Sequence, residues 1–326
     1  MMQTITLKQH NGLNVTLSSY GATIRSIEAP NGDHLALCYE NEDDWRSNAA
    51  YLGSTVGRVA NRIAGSKYLG EKRVVNLVAN EGANQLHGGK KGLSHVDWQV
   101  LEHDIDNNRV VFRYVSPDND QGFPGRVEFI VKYQLIDNQL VITLHGAPSE
   151  ITPLSLTNHI YWNLALSKQH DITEHFVKLP ARLRLLKNQQ NIASGEFANV
   201  YNSHYDFAEF TKLGSVLTDN GFDDYYLLDP QGSKRLQLHG SIVNKATGYQ
   251  VDIYSTAPGC QFYTGFYLDP QYKHLDGQQF GPYMGLCIEP HELPNAVNHP
   301  HFLSTLYAPE KPYYQQIKFE IHLPSE

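Results

Sequence analysis

Alternation of apolar and polar residues with a period of two is the feature that most constrains the fold of this chain. In Val127–Leu135 apolar side chains occupy every second position, and Leu140–Leu144 resumes an extended run after the turn Ile136–Gln139. Two such segments around an Asp-Asn turn predict an antiparallel hairpin. The same alternation recurs late in the chain, at Ile317–Leu323.

Further extended runs are short and separated by turn residues, and they lie at Thr4–Leu7, Asn14–Leu17, Arg109–Val115, Arg235–Leu238 and Val251–Tyr254. Helical periodicity is sparse, and we predict only short helical turns at Asp43–Ser47 and Asp206–Phe210. Many short strands with frequent turns indicate an all-β sandwich or barrel. Because the composition shows no break or fixed repeat, we expect a single domain over residues 1–326.

The composition excludes several classes of partner. With 26 Lys+Arg against 34 Asp+Glu, the formal charge is −8, which argues against nucleic acid or an anionic membrane surface as the main partner. No apolar run approaches the length of a membrane-spanning helix, and the first residues have no features of a secretory signal. The three cysteines are too few and too scattered for a disulfide framework. We therefore expect a soluble, cytoplasmic protein.

The common cofactor motifs are missing from the sequence: it has no glycine-rich nucleotide loop, no GxSxG and no HExxH. His291-Glu292 begins like a zinc-protease motif, but Asn295 stands where the second histidine would be. His299 and His301 could chelate a metal, yet no further ligand follows at a suitable spacing. We expect neither a metal nor another cofactor.

Four polar clusters are set among Gly, Asn or Pro residues. They are Gly57–Ile63, Asn84–Gly89, Leu156–Leu164 and a fourth in three pieces, Gly221–Asp224, Pro258–Gly265 and Cys287–Pro290. At these clusters, and from Tyr20–Ile24 through Ser116–Gly125 to Leu293–Asn298, the chain resembles the aldose 1-epimerase (galactose mutarotase) family. The resemblance implies an all-β fold, a large antiparallel β-sandwich (the galactose mutarotase-like supersandwich) with few short helices. This agrees with the strand pattern.

The resemblance also implies a reaction, the interconversion of the α and β anomers of a free aldose such as galactose or glucose. The cyclic hemiacetal must open and close again on the other face of C1. A base removes the proton of the C1 hydroxyl while an acid protonates the ring oxygen, and each such group is worth about 10²–10⁴-fold in rate. The expected partner is a small free sugar.

By motif position, Glu289 resembles the general base and His159 the general acid. A glutamate carboxyl in water has a pKa of about 4.3 and is ionised at neutral pH unless burial raises that pKa, and an imidazole exchanges a proton near neutrality. Glu289 follows an apolar run, so we expect it where a strand leaves the core. Asn158 and Tyr161 are expected to orient His159.

The substrate-binding residues implied by the resemblance are Asn61, Arg62, His87, Asp223 and Gln261. His87 is assigned to the region of the ring oxygen, and Asn61 and Arg62 to sugar hydroxyls, since a guanidinium donates to two oxygens at once. A surface salt bridge is the alternative for Arg62. Asp223 and Gln261 are expected to accept hydrogen bonds from hydroxyls.

Other residues in the clusters have less specific expectations. Gly88 and Gly89 would let the backbone approach the sugar closely. Ile160 stands where the family often has Ser, and Trp162 where it often has Phe, so both bear on pocket shape. Arg58 is expected to be structural. Phe262, Tyr161 and Trp162 are equally suited to stacking on the sugar and to packing in the core.

Two alternative functions remain open at this point. A relative acting on hexose 6-phosphates would use the locally basic stretch of Arg58, Arg62, Lys67, Lys72 and Arg73. A non-catalytic sugar-binding module would keep Arg62, His87 and Asp223 and could dispense with Glu289 or His159. Because both of the latter are present, the enzyme is the favoured interpretation.

Overall fold

The computed structural model describes residues 2–71, 73–165 and 171–324. Numbered in chain order, its strands are β1 Thr4–Lys8, β2 Asn14–Ser18, β3 Thr23–Glu28, β4 Thr55–Val56, β5 Arg62–Ile63, β6 Lys67–Leu69, β7 Val74–Asn76, β8 Gln85–Leu86, β9 Gln99–Asp104, β10 Arg109–Ser116, β11 Val127–Ile136, β12 Gln139–Pro148, β13 Thr152–Pro153, β14 Thr157–Asn158, β15 His175–Lys178, β16 Leu183–Lys187, β17 Ala193–Asn199, β18 Thr211–Lys212, β19 Asp223–Leu227, β20 Gln237–Asn244, β21 Gln250–Ser255, β22 Gly259–Tyr263, β23 Cys287–His291, β24 Leu306–Tyr307 and β25 Tyr313–His322. The fold is therefore all-β, as predicted.

Helical structure in the described residues is confined to short pieces. The α-helix α1 spans Glu42–Ser47, which confirms the predicted helical turn there, and single 3₁₀ turns lie at Ala64–Ser66, Leu93–His95, Asp120–Gly122, Leu213–Ser215 and Ala296–Asn298. The helical turn predicted at Asp206–Phe210 is wrong. The Asp206 carboxylate instead accepts hydrogen bonds from the backbone N–H groups of Asn202 and Ala208, a local arrangement that competes with helix formation.

The largest sheet has nine strands in the order β18-β15-β20-β21-β25-β12-β11-β10-β9. The predicted hairpin is confirmed: β11 and β12 pair antiparallel with Ile136 opposite Gln139. The extended run predicted at Arg235–Leu238 is misplaced, because β20 begins at Gln237 and continues to Asn244. A bulge between Leu238 and Gly240 interrupts the alternation that would have revealed the strand.

A second sheet has five strands in the order β17-β16-β19-β22-β23. One hydrophobic cluster joins inward-facing side chains of both sheets, including Ile142 and Phe319 of the nine-stranded sheet and Phe262 and Ile288 of the five-stranded one. Two sheets that share a core in this way form a β-sandwich. Within the described residues, no helix is long and apolar enough to cross a membrane.

The alternation of side chains along the five-stranded sheet positions the site. Cys260, Phe262 and Ile288 point into the shared core. The residues between them belong to the opposite face, where Gln261 of β22 lies directly across from Glu289 of β23. Successive side chains of a strand point to opposite faces, so this face collects polar groups from neighbouring strands.

Candidate active site

A cavity of about 550 Å³ opens on this polar face of the five-stranded sheet. Its size lies within the range of small-molecule sites. All seven residues that the sequence singles out line the cavity, namely Asn61, Arg62, His87, His159, Asp223, Gln261 and Glu289. These side chains come from stretches of the chain that are far apart in sequence and meet only in the fold.

Glu289 is the central residue of β23, only 3% exposed. The expectation that it lies where a strand leaves the core is therefore wrong, because all five residues of the strand are buried. Its Oε2 atom has no hydrogen-bond partner and lies 3.5 Å from Nε2 of His159. Burial, and secondarily the negative charge of Asp223, raises the pKa of Glu289 well above its ordinary value. A buried carboxyl with a free oxygen is suited to exchanging a proton with a ligand.

His159 is buried directly beside this carboxyl. Its ring stacks on Tyr161 at 4.9 Å between centroids, and Tyr51 lies nearly parallel at 6.1 Å. The expected orienting role of Tyr161 agrees with this contact. The expected role of Asn158 is wrong, because its side chain donates instead to the carbonyl oxygen of Gly53.

The environment of the second ring nitrogen of His159 determines which nitrogen carries the proton. Nδ1 lies 3.6 Å from Sγ of Cys287, and burial raises the pKa of that thiol well above its ordinary value. A thiol that keeps its proton can donate to Nδ1, and the proton of the neutral ring then resides on Nε2, which faces Glu289. Burial lowers the pKa of His159 to about 3.

Glu289 and His159 together hold one proton over a wide pH range. The protonated carboxyl of Glu289 beside a neutral imidazole holds one proton more than the ionised carboxylate beside the same imidazole. The two groups titrate as a unit because they are in contact. The pair becomes fully protonated only near the lowered pKa of His159, and it loses the carboxyl proton at the raised pKa of Glu289. Between these limits the single proton can lie on either group, and when it lies on His159 the pair can accept a proton at Glu289 while His159 gives one up.

His87 faces the cavity as a fixed hydrogen-bond donor. Its backbone N–H donates to the carbonyl oxygen of Asn61, and its Nδ1 accepts from the N–H of Asn61 at 3.2 Å. Burial, followed by the positive charges of His159 and Arg62, lowers the pKa of His87 well below its ordinary value. A neutral ring whose Nδ1 accepts must carry its proton on Nε2.

A chain of amide hydrogen bonds fixes the polar floor of the cavity. Asn61 Nδ2 donates to Oε1 of Gln261 at 3.0 Å, and Gln261 Nε2 donates to Oδ1 of Asp223 at 2.6 Å. This chain fixes the orientation of the Gln261 amide and leaves Asp223 Oδ2 4.0 Å from Nη1 of Arg62.

Arg62 is held by a carboxylate that the sequence analysis did not single out. Its Nε and Nη2 donate to the two oxygens of Glu81, each at 2.7 Å. The salt bridge weighed as an alternative for Arg62 therefore exists, but it lies in the cavity wall rather than apart from the site. The guanidinium retains Nη1 for further contacts.

Further cavity residues were missed, among them Glu81, Tyr51 and Tyr267. Tyr51 packs against His87 with ring centroids 4.7 Å apart. Tyr267 is 67% exposed at the cavity. None of them carries a sequence signal, apart from the turn pattern Asn80-Glu81-Gly82, which predicts a loop but no role.

The two glycines after His87 do not line the cavity. A Cβ on Gly88, whose φ is +84°, would lie 1.9 Å from the backbone oxygen of Gly57, and one on Gly89 would contact Gln121. The expectation for both is wrong: they allow chain segments to pack closely behind the site.

The aromatic candidates divide between cavity and core. Tyr161 lines the cavity, whereas Phe262 and Trp162 are fully buried in the shared core, Trp162 against Phe319 at 5.1 Å. Ile160 belongs to that core as well. Ile160 and Trp162 therefore affect the cavity only through the backbone that positions His159.

The described residues of the basic stretch have separate environments. Arg58 is buried and donates to the Ser116 hydroxyl and to the carbonyl oxygens of Pro117 and Pro124, which is a structural role. Lys67 and Arg73 are exposed, and Lys72 lies outside the described residues.

Three side chains at the cavity floor are close enough to raise the question of a metal, His159, Cys287 and Glu289. Cys287 faces Nδ1 of the imidazole and Glu289 faces Nε2. One ion can use only one of these nitrogens, although one ligand atom from each of the three residues lies within 4.8 Å of the others. His299 and His301 direct their Nε2 atoms to the carbonyl oxygens of Ala193 and Gly195.

Comparison with known proteins gives consistent matches. The family model described as Aldose 1-epimerase matches residues 3–320. The chain is 35% identical over 312 residues to a protein named galactose mutarotase from Bos taurus, covering 94% of this chain and 90% of the relative. It is 32% identical over 311 residues to a protein named aldose 1-epimerase from Escherichia coli K12, covering 91% and 88%.

Solved structures agree with the fold. A GalM/aldose epimerase homologue from C. elegans superposes with a TM-score of 0.91 at 27% identity, covering all of both chains. A galactose 1-epimerase from Lactobacillus acidophilus superposes with a TM-score of 0.86 at 21% identity, covering 99% and 95%. Because the identity to this second structure is only 21%, the similarity shows the fold alone.

Proposed function

The chain belongs to the aldose 1-epimerase family, and from that membership we propose that its cavity interconverts the α and β anomers of a free aldose through Glu289 and His159. The observation that carries the residue assignment is the buried carboxyl with an unpartnered oxygen 3.5 Å from an imidazole nitrogen. Anomer exchange needs one proton taken and another given within the same small space, and this pair meets that requirement.

The first half of the reaction opens the ring. The step starts from the form of the one-proton pair in which that proton lies on His159. The Glu289 carboxylate takes the proton of the C1 hydroxyl, the freed electron pair forms the C1 carbonyl, and the bond between C1 and the ring oxygen breaks. The ring oxygen takes the proton from Nε2 of the His159 imidazolium, which becomes neutral. Each positioned proton transfer contributes about 10²–10⁴-fold in rate.

The second half reverses the roles. Rotation about the C1–C2 bond presents the other face of the aldehyde to the ring hydroxyl, which attacks C1. His159 recovers its proton from that hydroxyl, and Glu289 returns its proton to the carbonyl oxygen. The pair ends in the protonation state in which it began.

The remaining cavity residues hold the sugar. The Nε2–H of His87 is available to donate to an oxygen of the ring region. Asp223 Oδ2, Arg62 Nη1 and the amide of Asn61 supply acceptors and donors for hydroxyls. Gln261 is already bonded to Asn61 and Asp223, so its main role is to fix those two groups.

We also propose a cytoplasmic location and a free sugar, rather than nucleic acid or a membrane surface, as the partner. The three cysteines, Cys38, Cys260 and Cys287, are buried and free, which suits a reducing compartment. The formal charge of −8 disfavours polyanionic partners. A single domain over residues 1–326 remains a prediction.

Polarimetry tests the function directly. We expect the protein to accelerate the mutarotation of freshly dissolved α-galactose or α-glucose at catalytic concentration, and to act far more slowly on galactose 6-phosphate. Binding of galactose without any acceleration would identify a sugar-binding module instead, and faster turnover of the phosphate ester would support the other alternative.

A further inference from the structure

The charges lining the cavity are strongly unequal. Among the described residues that line it, Arg62 is the only lysine or arginine, whereas Glu81, Asp223 and Glu289 contribute three carboxyl groups. Lys187 lies close by, but its ammonium group is bound to the backbone oxygen of Asp223 and lies 3.8 Å from the carboxylate of Asp224. The cavity therefore offers little uncompensated positive charge to a ligand.

Glu81 neutralises the one cation in the described part of the wall. Both of its oxygens are bonded to Arg62, each at 2.7 Å. The carboxylate of Asp223 lies on the other side of the same guanidinium, 4.0 Å from Nη1. Two carboxylates thus face one guanidinium, and the wall formed by these three groups has a net negative charge.

The cavity is small enough that any bound anion lies close to the carboxylates of its wall. A sphere of about 550 Å³ is about 10 Å across, which is close to the Debye length at physiological salt. An anionic group anywhere inside the cavity is therefore repelled by Glu81 and Asp223 with little screening.

We propose that Glu81 is a specificity-determining residue that excludes anionic aldoses, such as those bearing a carboxylate or phosphate at C6, from this cavity. The inference rests on the proposed anomer exchange and goes beyond it by assigning the basis of selectivity for neutral sugars. Removing one full charge at this range changes the relative affinity for an anion on the order of five- to tenfold.

The position of Glu81 makes the proposal testable. The residue lies in a turn whose backbone is closed by hydrogen bonds between Glu81 and Asn84 in both directions, and its side chain is 36% exposed. Its substitution therefore leaves the hydrophobic core intact. Glu81→Gln removes the charge and keeps the shape, whereas Glu81→Asp keeps the charge and shortens the reach to Arg62.

The experiment compares three sugars that differ only at C6: galactose, galacturonate and the neutral methyl ester of galacturonate. Mutarotation is followed by polarimetry at neutral pH, and the quantity of interest is kcat/KM for each sugar relative to galactose. We expect the wild-type protein to prefer the methyl ester to the smaller galacturonate ion. In Glu81→Gln the ratio for galacturonate rises about five- to tenfold, while Glu81→Asp keeps the wild-type ratio.

Glu42→Gln is the matched control. Glu42 forms a similar bidentate ion pair with Arg25 outside the cavity. Its replacement therefore leaves the kcat/KM ratios of the sugars and the rate with galactose unchanged. Raising the salt to 1 M, where the Debye length is about 3 Å, moves the wild-type ratio towards that of Glu81→Gln.

Two results would overturn the proposal. One is a wild-type protein that turns over galacturonate as well as its methyl ester. The other is an equal shift of the galacturonate ratio in Glu81→Gln and Glu81→Asp, which would show that the contact with Arg62 matters rather than the charge. Both leave galactose turnover in place, whereas failure of the proposed function removes acceleration with every sugar.

Discussion

Replacement of Asp223 by Asn should shift the alkaline limb of the pH profile to lower pH. The pKa of Glu289 is raised first by burial and second by the negative charge of Asp223. Removing that charge lowers the pKa of Glu289. The Glu289–His159 pair then loses its single proton, which His159 has to deliver to the ring oxygen, at a lower pH, and the activity is lost with it.

The size of the shift follows from the sheet. Asp223 is on β19 and Glu289 on β23, with β22 between them, and the register offsets them by two residues along the strands. The two residues are therefore about 12 Å apart. Two unit charges at that distance interact with about 0.7–1.4 kcal/mol for an effective dielectric constant of about 40–20. The expected downward shift is therefore about 0.5–1.0 pH units.

The assay is kcat/KM for galactose mutarotation measured by polarimetry across the pH range. The plateau should also fall about 10–150-fold, because a sugar hydroxyl loses a charged acceptor worth about 1.5–3 kcal/mol. Asp97→Asn is the control, since Asp97 is exposed and lies 3.9 Å from Arg46, and it should shift neither limb nor plateau. An alkaline limb that stays in place or moves upward in Asp223→Asn would refute the reasoning.

Three further expectations concern stability and metal. Gly88→Ala should lower the free energy of unfolding by at least about 2 kcal/mol in a denaturant titration, because its φ is +84° and a Cβ would clash with Gly57; a variant as stable as wild type would contradict this. Arg58→Ala should lower the free energy of unfolding by at least about 3 kcal/mol, because three acceptors lose a charged donor. An unchanged stability would mean that water replaces the guanidinium. Exhaustive chelation should leave the mutarotation rate unchanged, and a loss restored by a divalent ion would contradict the interpretation of His159, Cys287 and Glu289 as a proton-exchanging group.

The strand pattern predicted the hairpin of β11 and β12 in the large sheet. In β11 and β12 the alternation of side chains fixes both the strands and their register, because a slip of one residue would turn every apolar side chain to the wrong face. The helical turn predicted at Asp43–Ser47 is also present, as the α-helix Glu42–Ser47. The boundary error at β20 arose from its bulge, which breaks the alternation locally.

The convergence of the cavity residues was predictable only through the family resemblance. Alternation explains why Gln261 and Glu289 point away from the core, but not that β22 and β23 pair with these two residues opposite each other. Pairings between strands so distant in sequence depend on the global packing. Local patterns do not contain them.

The missed and mistaken assignments share a cause. Glu81 holds Arg62 only because their loops meet through the pairing of β5 with β8, and Gly88 serves the packing of two backbones rather than the ligand. The Asp206 turn likewise depends on hydrogen bonds that its own carboxylate accepts, which composition alone does not reveal. In each case the three-dimensional context determined the role of a residue whose type had suggested another.

Mutarotation by Glu289→Gln and His159→Asn, measured alone and combined, tests the central claim most directly. Each single variant should stay folded, bind galactose and lose at least about 10²-fold in kcat, because Gln cannot accept the C1 hydroxyl proton and Asn cannot supply one to the ring oxygen. The double variant should lose much less than the product of the two losses, since the pair acts as a unit. A Glu289→Gln protein that accelerates mutarotation as well as wild type would place the base elsewhere and contradict the mechanism.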